Sequence, residues 1–471
     1  MPNKHRRTRG RHTARGTLMY LMYQLECGVC CPTTMTFAAV PALAATPSVA
    51  NHWLPLLTSR RYDGRDVPVE VKGCATVGMS MTEKQGGSDV RANTTTATPV
   101  DPSAASEGDE FVLRGHKWFT SAPMSDAFLT LAQTPEGLSC FLVPRWLPDG
   151  SRNAGFHVMR LKDKVGDRAN ASSEVEYDRA WGRMVGAPGR GVRTIVEMVV
   201  HTRLDCTIGS AALMRACAQL AAQHTATRSA FGSRLIDAPL MRTLLVDLAV
   251  ETEAANATWS RLARAFEADG ASNDESHRHD THLRRIATAV SKYWVCKRAV
   301  GVAYEAMECF GGNGYVEDGP IARLFRQSPL NAIWEGSGNV ICLDVLRAME
   351  REPESMQALM RELRGPRGAE VRLDSLVDDI EGQLRTCATE PTRMERQARL
   401  LVDKMAVALQ AATLLQHGHP DVAEAFCASR LPQRGSDSDT CAAGWNYGAT
   451  RADLGSTRVE AVLIDRLLPS S

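Results

Sequence analysis

The sequence has almost no excess charge of either sign and no long apolar run. Lysine and arginine total 55 and aspartate and glutamate total 54, which leaves a net charge of +1. A protein with so little net charge has no long-range field that would recruit nucleic acid or an anionic membrane. No apolar run approaches the length needed to cross a bilayer, and no internal repeat is visible. These absences favour a soluble globular protein without a membrane span.

Cysteine is plentiful but lacks the spacing of a disulfide framework or a zinc site. The thirteen cysteines are scattered and odd in number, which is typical of reduced thiols in a reducing compartment. Cys27-x-x-Cys30, followed by Cys31, suggests a metal, but no second pair of cysteines or histidines lies at zinc spacing nearby. The sequence therefore predicts no metal and an intracellular location, cytoplasmic in a bacterium and the mitochondrial matrix in a eukaryote.

The periodicity of the sequence changes along its length. Short runs bounded by turn residues, such as 111–113, 127–133 and 139–144, predict strands from about Ala75 to Pro188. From Gly191 onward the apolar residues recur at three and four positions, which predicts helices. These include a helix with Pro239 in its first turn and Gly270 as its stop. A long helix over 282–309 follows a polar connection over 269–280, a short helix covers 340–350, and a loose stretch over 432–450 interrupts the later helical region. With 471 residues, we expect four segments, namely 1–72, 73–188, 189–350 and an additional helical region over 351–471.

Two segments combine small residues, hydroxyls and one carboxylate. Residues 81–89 read MTEKQGGSD and residues 333–339 read IWEGSGN. Glycine and hydroxyl side chains are what a backbone needs where it lies against a flat, polar ligand. The second segment adds Glu335, flanked by Trp334 and Gly336.

These segments resemble the flavin-contacting motifs of acyl-CoA dehydrogenases, and three further motifs follow in the family's order. They are GHKWFTS at 115–121, RSAFG at 228–232 and GGNGY at 311–315. Any one of them is weak evidence, because glycine-rich turns are common. The sequence TEKQGGSD at 82–89, with LSCF at 138–141 and RLKDK at 160–164, resembles the AidB-like branch of the family. This branch is linked to the bacterial alkylation response. The similarity runs from about Arg15 to about Arg347.

The resemblance implies an α+β fold, in which a middle antiparallel β domain is followed by a C-terminal helical bundle and an extra helical region. It also implies FAD as cofactor, with flavin sites shared between the subunits of a homotetramer or homodimer. Phe119 lies where most relatives place an aromatic residue beside the flavin, often Trp, and Ser121 where they place Thr. The residues implied as cofactor contacts are Met79, Met81, Thr82, Gly87, Ser88, Phe119, Thr120, Ser121, Arg228, Phe231, Gly311, Gly312, Trp334, Gly336, Ser337 and Asn339.

Glu335 falls where the family keeps its catalytic base. Oxidation of an acyl thioester requires a base for the α-proton, a stabilised enolate oxygen and a hydride acceptor over the β carbon. A carboxylate in an apolar, water-poor pocket has a raised pKa, near which proton transfer is efficient. In the family the backbone N–H of this glutamate and a flavin hydroxyl hold the thioester carbonyl. The alternative is an acid favoured by the dipole of the helix that follows.

The other candidates also have plain structural alternatives. The segment at Thr82 to Ser88 is otherwise a β-turn, the glycines near 311 a helix C-cap, and Arg228 a solvated arginine on a helix. Arg203 matches a family position at the CoA end of the substrate, and Ser88 and Ser121 also fall near the substrate. Asp205 offers Arg203 a simple ion-pair partner instead.

Rival functions remain open at this point. AidB-like proteins are associated with DNA through the region after the dehydrogenase core and have feeble dehydrogenase activity. Residues 351–471 hold 15 basic and 18 acidic residues, a net charge of 15 − 18 = −3, which weakens duplex DNA as a partner. Arginine runs at 361–372 and 393–399 are interspersed with glutamates. An acyl-CoA oxidase would share the flavin and the base. The dehydrogenase hypothesis adds a short or branched acyl-CoA and an electron acceptor as partners.

The first sixteen residues are arginine-rich, and no acid precedes Glu26. This segment is a transit peptide, a basic arm or the product of a wrongly assigned start codon. We favour the last, because family members carry a whole helical domain before the point where this chain begins to resemble them. We expect the match to begin in the last helix of that domain, near 18–36, with most of the domain lacking.

Overall fold

The structure, a computed structural model, describes residues 10–103, 106–268, 274–387, 390–432, 447–449 and 457–468. Contacts divide the chain into two compact units. One is Glu26–Thr202, and the other is Met1–Leu25 together with Arg203–Ser471. The predicted segment boundaries at 72, 188 and 350 stay predictions.

The unit Glu26–Thr202 is built on a seven-stranded sheet. Its strands are β1 (Val77–Ser80), β2 (Thr96–Pro99), β3 (Glu110–Ser121), β4 (Ala127–Thr134), β5 (Gly137–Pro144), β6 (Phe156–Leu161) and β7 (Ser172–Val185). They are ordered β1-β4-β2-β3-β7-β5, with β6 on β7, and β4 also pairs with β5. The sheet is mainly antiparallel, as predicted, but β4 pairs in parallel with β1 and β2.

The core of this unit is formed by apolar residues of the sheet. Phe111 and Leu113 of β3 pack with Phe141 and Val143 of β5 and with Tyr177 of β7. These residues alternate with more exposed neighbours along β3, as expected where one face of a strand is buried. Burial of each large apolar side chain contributes roughly 1.5–3 kcal/mol, which fixes the register of the strands beneath the candidate site.

The helices fall mostly in the other unit. In chain order they are α1 (Arg11–Leu25), α2 (Cys30–Ala44), α3 (Pro47–Leu57), α4 (Gly191–Thr227), α5 (Pro239–Ala265), α6 (Glu275–Glu308), α7 (Pro320–Gln327), α8 (Gly338–Arg351), α9 (Pro353–Leu363), α10 (Val371–Cys387), α11 (Pro391–Arg396), α12 (Ala398–His417), α13 (Pro420–Arg430) and α14 (Thr457–Leu467). A two-stranded hairpin, β8 (Ser229–Ala230) with β9 (Ser233–Arg234), follows α4. Within this unit α12 packs on α5, α6 and α8.

Two helix boundaries differ from those predicted. The polar stretch over 269–280 was predicted as a connection, but α6 already begins at Glu275, because the Asp274 side chain caps it by accepting from Ser276 N at 3.4 Å. The single helix predicted near 18–36 is also wrong. Glu26 accepts a hydrogen bond from Gly28 N at 2.9 Å and starts a 3₁₀ turn that separates α1 from α2. The predicted stop at Gly270 and most of the loose stretch over 432–450 lie outside the described residues.

Among the described residues, one helical segment meets the length and composition of a membrane span. Cys27–Ala44 has 18 residues with a mean hydropathy of 1.4, and it is 56% buried. Helix α2, which makes up most of it, packs on α3 and β1. A buried core helix meets the same length and composition criteria as a membrane span, so this segment is weak evidence for one.

Candidate functional site

The segment after β1 forms an exposed loop that is tied to β3. Trp118 N donates to Thr82 O at 2.8 Å, and Gly86 N donates to Glu83 O at 2.9 Å. A Cβ on Gly87 would lie 2.6 Å from Thr82 Oγ1, so only glycine fits there without a shift. Gly87 and Ser88 are exposed, while Met79, Met81 and Thr82 are half-buried.

A buried ion pair between Glu83 of the loop and Lys117 of β3 anchors this loop to the sheet. The Lys117 ammonium donates to Glu83 Oε1 at 2.9 Å and to Leu131 O at 2.9 Å. Glu83 is 3% exposed and Lys117 0%. The Glu83 carboxylate also accepts from the backbone and hydroxyl groups of Thr94 and Thr95, at 2.6 to 3.1 Å. Burial raises the pKa of Glu83, but these hydrogen bonds and the Lys117 charge outweigh it and lower the pKa to about 2.

The end of β3 places its three candidates differently. Phe119 is 46% exposed, and Ser121 is half-buried with its hydroxyl 3.3 Å from Ser172 Oγ. Thr120 is fully buried and its hydroxyl lies 2.5 Å from Ser80 Oγ. In this conformation the aromatic ring and Ser121 are accessible to a ligand, whereas the Thr120 side chain belongs to the interior of the sheet.

A cation covers the neighbouring aromatic ring. Lys162 Nζ lies 3.1 Å from the centroid of the Trp118 ring and 4.9 Å from that of Phe119. The same ammonium donates to Glu174 Oε1 at 2.6 Å. Trp118 therefore serves as a cation–π partner, and Phe119 is the more open aromatic face.

The unit that contains Arg203–Ser471 is mostly helical and is called the helical unit below. In it, Glu335 has a left-handed backbone conformation with φ of +58°. This region is uncommon for residues other than glycine and costs roughly 1–3 kcal/mol, which the surrounding structure must offset. Such residues concentrate at active sites and ligand clamps. Glu335 is half-buried and lies three residues before Gly338, where α8 starts.

Two cations fix this strained turn through its carbonyl oxygens. The buried Lys292 ammonium of α6 donates to Trp334 O at 2.7 Å and to Gly336 O at 2.5 Å. Arg203 of α4 donates from Nε to Glu335 O at 3.0 Å. The carbonyls of three consecutive residues are thus held by charged donors, whose hydrogen bonds are roughly twice as strong as neutral ones.

Arg203 is in turn held by an acid. Its Nη1 donates to Asp344 Oδ2 at 2.5 Å, and Arg285 Nη2 donates to Asp344 Oδ1 at 3.1 Å. Burial raises the pKa of Asp344, but the positive charges of Arg203 and Arg285 outweigh it and lower the pKa. Asp205, suggested by the sequence as a partner for Arg203, makes a two-bond ion pair with Arg15 at 2.7 and 2.6 Å. This geometry gives Arg203 a positioning role at the Glu335 turn.

Trp334 and the residues after Glu335 complete this part of the site. Trp334 Nε1 donates to Asn331 Oδ1 at 2.8 Å, and Asn331 Nδ2 donates to Ser210 Oγ at 3.2 Å. Ser337 and Asn339 are exposed at the start of α8. The Trp334 ring is therefore oriented by a buried polar chain.

A buried thiol lies within electrostatic reach of Glu335. Cys206 is 4% exposed, and burial raises its pKa well above the usual value, with the negative charge of Glu335 among the further causes. A thiol that stays protonated is a poor base and a poor nucleophile. Cys206 is therefore a poor candidate for the proton acceptor.

The remaining predicted contacts lie on other elements of this unit. Arg228 is exposed at the start of the β8–β9 hairpin, and Phe231 at its tip is 106% exposed with φ of +53°. Gly311 and Gly312 follow α6, and a Cβ on either would meet nothing within 4 Å. Both sites are open in the part of the chain that the structure describes.

Sequence reasoning missed the residues that support the site. They are Glu83, Lys117, Asn331, Lys292, Asp344 and Arg285. Glu83 and Lys117 stood inside recognised motifs, MTEKQGGSD and GHKWFTS, and so had a local signal. The others are polar residues within helices or strands, where the sequence pattern favours a solvated side chain.

The family comparisons agree with the motifs. The profile of the acyl-CoA dehydrogenase middle domain matches residues 78–180, and that of the C-terminal domain matches residues 189–350. The profile of the adaptive response protein AidB N-terminal domain matches residues 2–64.

Similar proteins cover most of the chain. AidB of Escherichia coli is 42% identical over 427 residues, which are 90% of this chain and 75% of that protein. Acyl-CoA dehydrogenase family member 11 of Caenorhabditis elegans is 31% identical over 87% of this chain and 66% of its own length. The crystal structure of Caenorhabditis elegans ACDH-11 in complex with C11-CoA superposes with a TM-score of 0.79 at 27% identity, over 90% of this chain and 75% of that one.

Proposed function

The chain belongs to the acyl-CoA dehydrogenase family, in its AidB-like branch, and from that premise we propose that it oxidises an acyl-CoA thioester with FAD. In this reaction the Glu335 carboxylate accepts the α-proton of the thioester. The β carbon loses a hydride, and a C=C bond forms between the two carbons. When bound, the flavin supplies the hydride acceptor. An electron acceptor must then reoxidise it.

The observation that carries this proposal is the restraint of the Glu335 turn. Its strained backbone is held through three successive carbonyl oxygens by Lys292 and Arg203. A base must be held within a fraction of an ångström of the proton that it removes. A carboxylate whose only role is to interact with the dipole of α8 would need no such support. The restraint of the turn therefore favours the catalytic role of Glu335.

The residues present fit a flavin nucleotide. In the unit Glu26–Thr202, the exposed loop has no room for a side chain at Gly87, so a flat ligand could lie against its backbone, and Phe119 offers an exposed aromatic face. In the helical unit, Ser337 and Asn339 are exposed polar groups in the first turn of a helix of 14 residues, where the N-terminal dipole favours anionic groups. We assign these segments to FAD, with Thr82, Ser88 and Ser121 as hydroxyl partners.

We propose that the hairpin at Arg228 to Gly232 serves the FAD of a neighbouring subunit. Phe231 is fully exposed in a left-handed conformation at the hairpin tip. A large aromatic residue in such a place is a candidate for burial in an interface. A homotetramer or homodimer would supply that partner, and Arg228 would then pair with the nucleotide's phosphates.

The acyl-CoA class is supported by the relative whose structure is described in complex with C11-CoA. We propose a short or branched acyl chain. An acyl-CoA oxidase would use the same base and cofactor and differ in its electron acceptor, which would be molecular oxygen.

The DNA-binding alternative is disfavoured by how the arginine runs are paired. Arg361 bonds Glu275 at 2.7 Å, Arg364 bonds Glu381, and Arg367 bonds Asp378 at 3.3 Å. Arg372 bonds Glu370 and Arg393 bonds Glu390 in the same way. Arginines already paired with carboxylates displace fewer counterions from phosphates, so the enzyme is the better supported function.

Purified protein tests the proposal through its absorption spectrum. We expect an equimolar flavin with its visible band, which bleaches anaerobically when a short or branched acyl-CoA is added. Protein that folds but neither carries nor binds FAD would contradict the proposed function. Bleaching by acyl-CoA followed by rapid recovery in air alone would indicate the oxidase.

A further inference from the structure

The helical region after residue 350 contacts the segment that we assign to the flavin nucleotide. Arg399, in the first turn of α12, donates from Nε to Asn339 Oδ1 at 2.7 Å. Asn339 lies in the first turn of α8. Arg399 lies outside residues 189–350, to which the dehydrogenase C-terminal domain corresponds, so this contact joins the additional region to the dehydrogenase site within one compact unit.

The glycine beside Asn339 shows how closely the two elements approach. A Cβ on Gly338 would lie 2.9 Å from Lys297 Cε and 3.3 Å from Arg399 Nη2. Two long cationic side chains therefore pack directly against the backbone at the start of α8. Cations at a helix N-terminus oppose the helix dipole unless an anionic or acceptor group lies nearby.

The hydrogen bond determines which way the Asn339 carboxamide faces. An amide has one acceptor oxygen and one NH₂ group with two donors, whereas a guanidinium can only donate. Oδ1 must therefore face Arg399, and Nδ2 faces away from it. Without Arg399 the two orientations of the Asn339 carboxamide would have nearly equal energies. In a fraction of the protein molecules, the amide oxygen would then face an acceptor group of the ligand.

We propose that Arg399 is a positioning residue for FAD, which orients Asn339 so that Nδ2–H donates to an acceptor oxygen of the nucleotide. The inference rests on the proposed function and extends it, because FAD affinity then depends on the helical region after residue 350. Arg399 acts through Asn339 and not through its own contact with the cofactor.

The test measures FAD affinity of the full-length apoprotein by quenching of flavin fluorescence. Arg399→Met keeps the length of the side chain and removes every donor, and we expect about tenfold weaker binding, as for loss of one hydrogen bond to a charged group. Arg399→Lys should recover part of the affinity, since an ammonium can still donate to Oδ1. Arg396→Met, at the exposed end of α11, is the matched control and should bind like the unmutated chain.

A double-mutant cycle separates positioning from a direct charge effect. In the Asn339→Ala background, which itself weakens binding, adding Arg399→Met should cause no further loss. The thermal midpoint of each apoprotein should stay unchanged, while the increase caused by FAD becomes smaller.

Additive losses, or unchanged affinity in Arg399→Met, would overturn this inference and leave the proposed function intact. If Arg399→Met lowers the thermal midpoint of the apoprotein, the FAD affinities of Arg399→Lys and Asn339→Ala are measured instead. If both variants bind FAD as tightly as the unmutated chain, the inference is contradicted. Failure of the unmutated chain to bind FAD would instead defeat the proposed function.

Discussion

Arg203 donates a hydrogen bond to the carbonyl oxygen of Glu335, from a helix 132 residues earlier in the chain. The same guanidinium is held by Asp344, which also pairs with Arg285. The strained turn is therefore connected to a network of half-buried charges on α4, α6 and α8. We expect that network to keep the carboxylate in place while a substrate binds.

Loss of Arg203 should slow catalysis without releasing the cofactor. Arg203→Gln removes the charged donor to Glu335 O, and a displacement of about 1 Å at a catalytic group costs up to about 100-fold. We expect flavin reduction by acyl-CoA to slow by roughly 10- to 100-fold, with equimolar FAD retained. Arg193→Gln, an exposed position on the same helix, is the control. A normal rate in Arg203→Gln would show that the network is not needed.

Substitution at Gly87 should weaken cofactor binding. Gly87→Val places side-chain atoms where even a Cβ meets Thr82 Oγ1 at 2.6 Å, so the loop must shift and the backbone can no longer approach a flat ligand. Combined with a bulky residue at Gly86, whose φ is +132°, the change should give apoprotein. The flavin band of purified protein measures this. Full flavin content in the double variant would mean that this loop is not part of the FAD site.

The Glu83–Lys117 pair should make the loop acid-sensitive. The pKa of Glu83 is lowered to about 2 in the folded protein, below the ordinary pKa of about 4.3. The stability from this carboxylate is therefore fully present above about pH 4.3 and is lost as the pH falls toward about 2. We expect the thermal midpoint to fall across this window and that fall to be shallower in Glu83→Gln.

The same variant also tests the buried charge at neutral pH. Glu83→Gln leaves the Lys117 ammonium without its carboxylate, which costs about 3–5 kcal/mol. Glu83→Gln with Lys117→Met removes both charges, and it should recover much of the stability. Equal midpoints for the single and double variants would contradict this account of the pair.

Duplex DNA should bind weakly at most. The arginines at 361–372 and Arg393 are paired with carboxylates, so few are available for phosphates. Retention on an immobilised duplex should fall steeply with salt, as nonspecific phosphate contacts do. A sharp complex that survives high salt would favour the DNA-associated function over the enzyme.

Much of the architecture could be predicted from local patterns. The strands over 111–113, 127–133 and 139–144 were confirmed, because turn residues bound them and their apolar residues face the core of the sheet. The start of α5 at Pro239 was confirmed too, since proline suits the first turn of a helix. The break between α1 and α2 was missed, because it depends on a single capping hydrogen bond from Gly28 to Glu26.

The support of the site could not be predicted, because it depends on tertiary packing. Lys292 lies 42 residues before Trp334 on a long helix, and a lysine there is usually solvated. Its role becomes apparent only when the helix brings the ammonium beneath the Glu335 turn. The motif around Glu335 indicated the chemistry, whereas the cations that hold it leave no local signal.

The central claim is that Glu335 is the base, and anaerobic stopped-flow reduction of the bound flavin by an acyl-CoA tests it most directly. Glu335→Gln keeps the shape of the side chain and the backbone N–H but removes the proton acceptor. The variant should retain equimolar FAD and reduce it slower by about 10²–10⁴-fold or more than the unmutated chain with the same substrate. Reduction of the flavin at the same rate in both proteins would show that Glu335 is not the base.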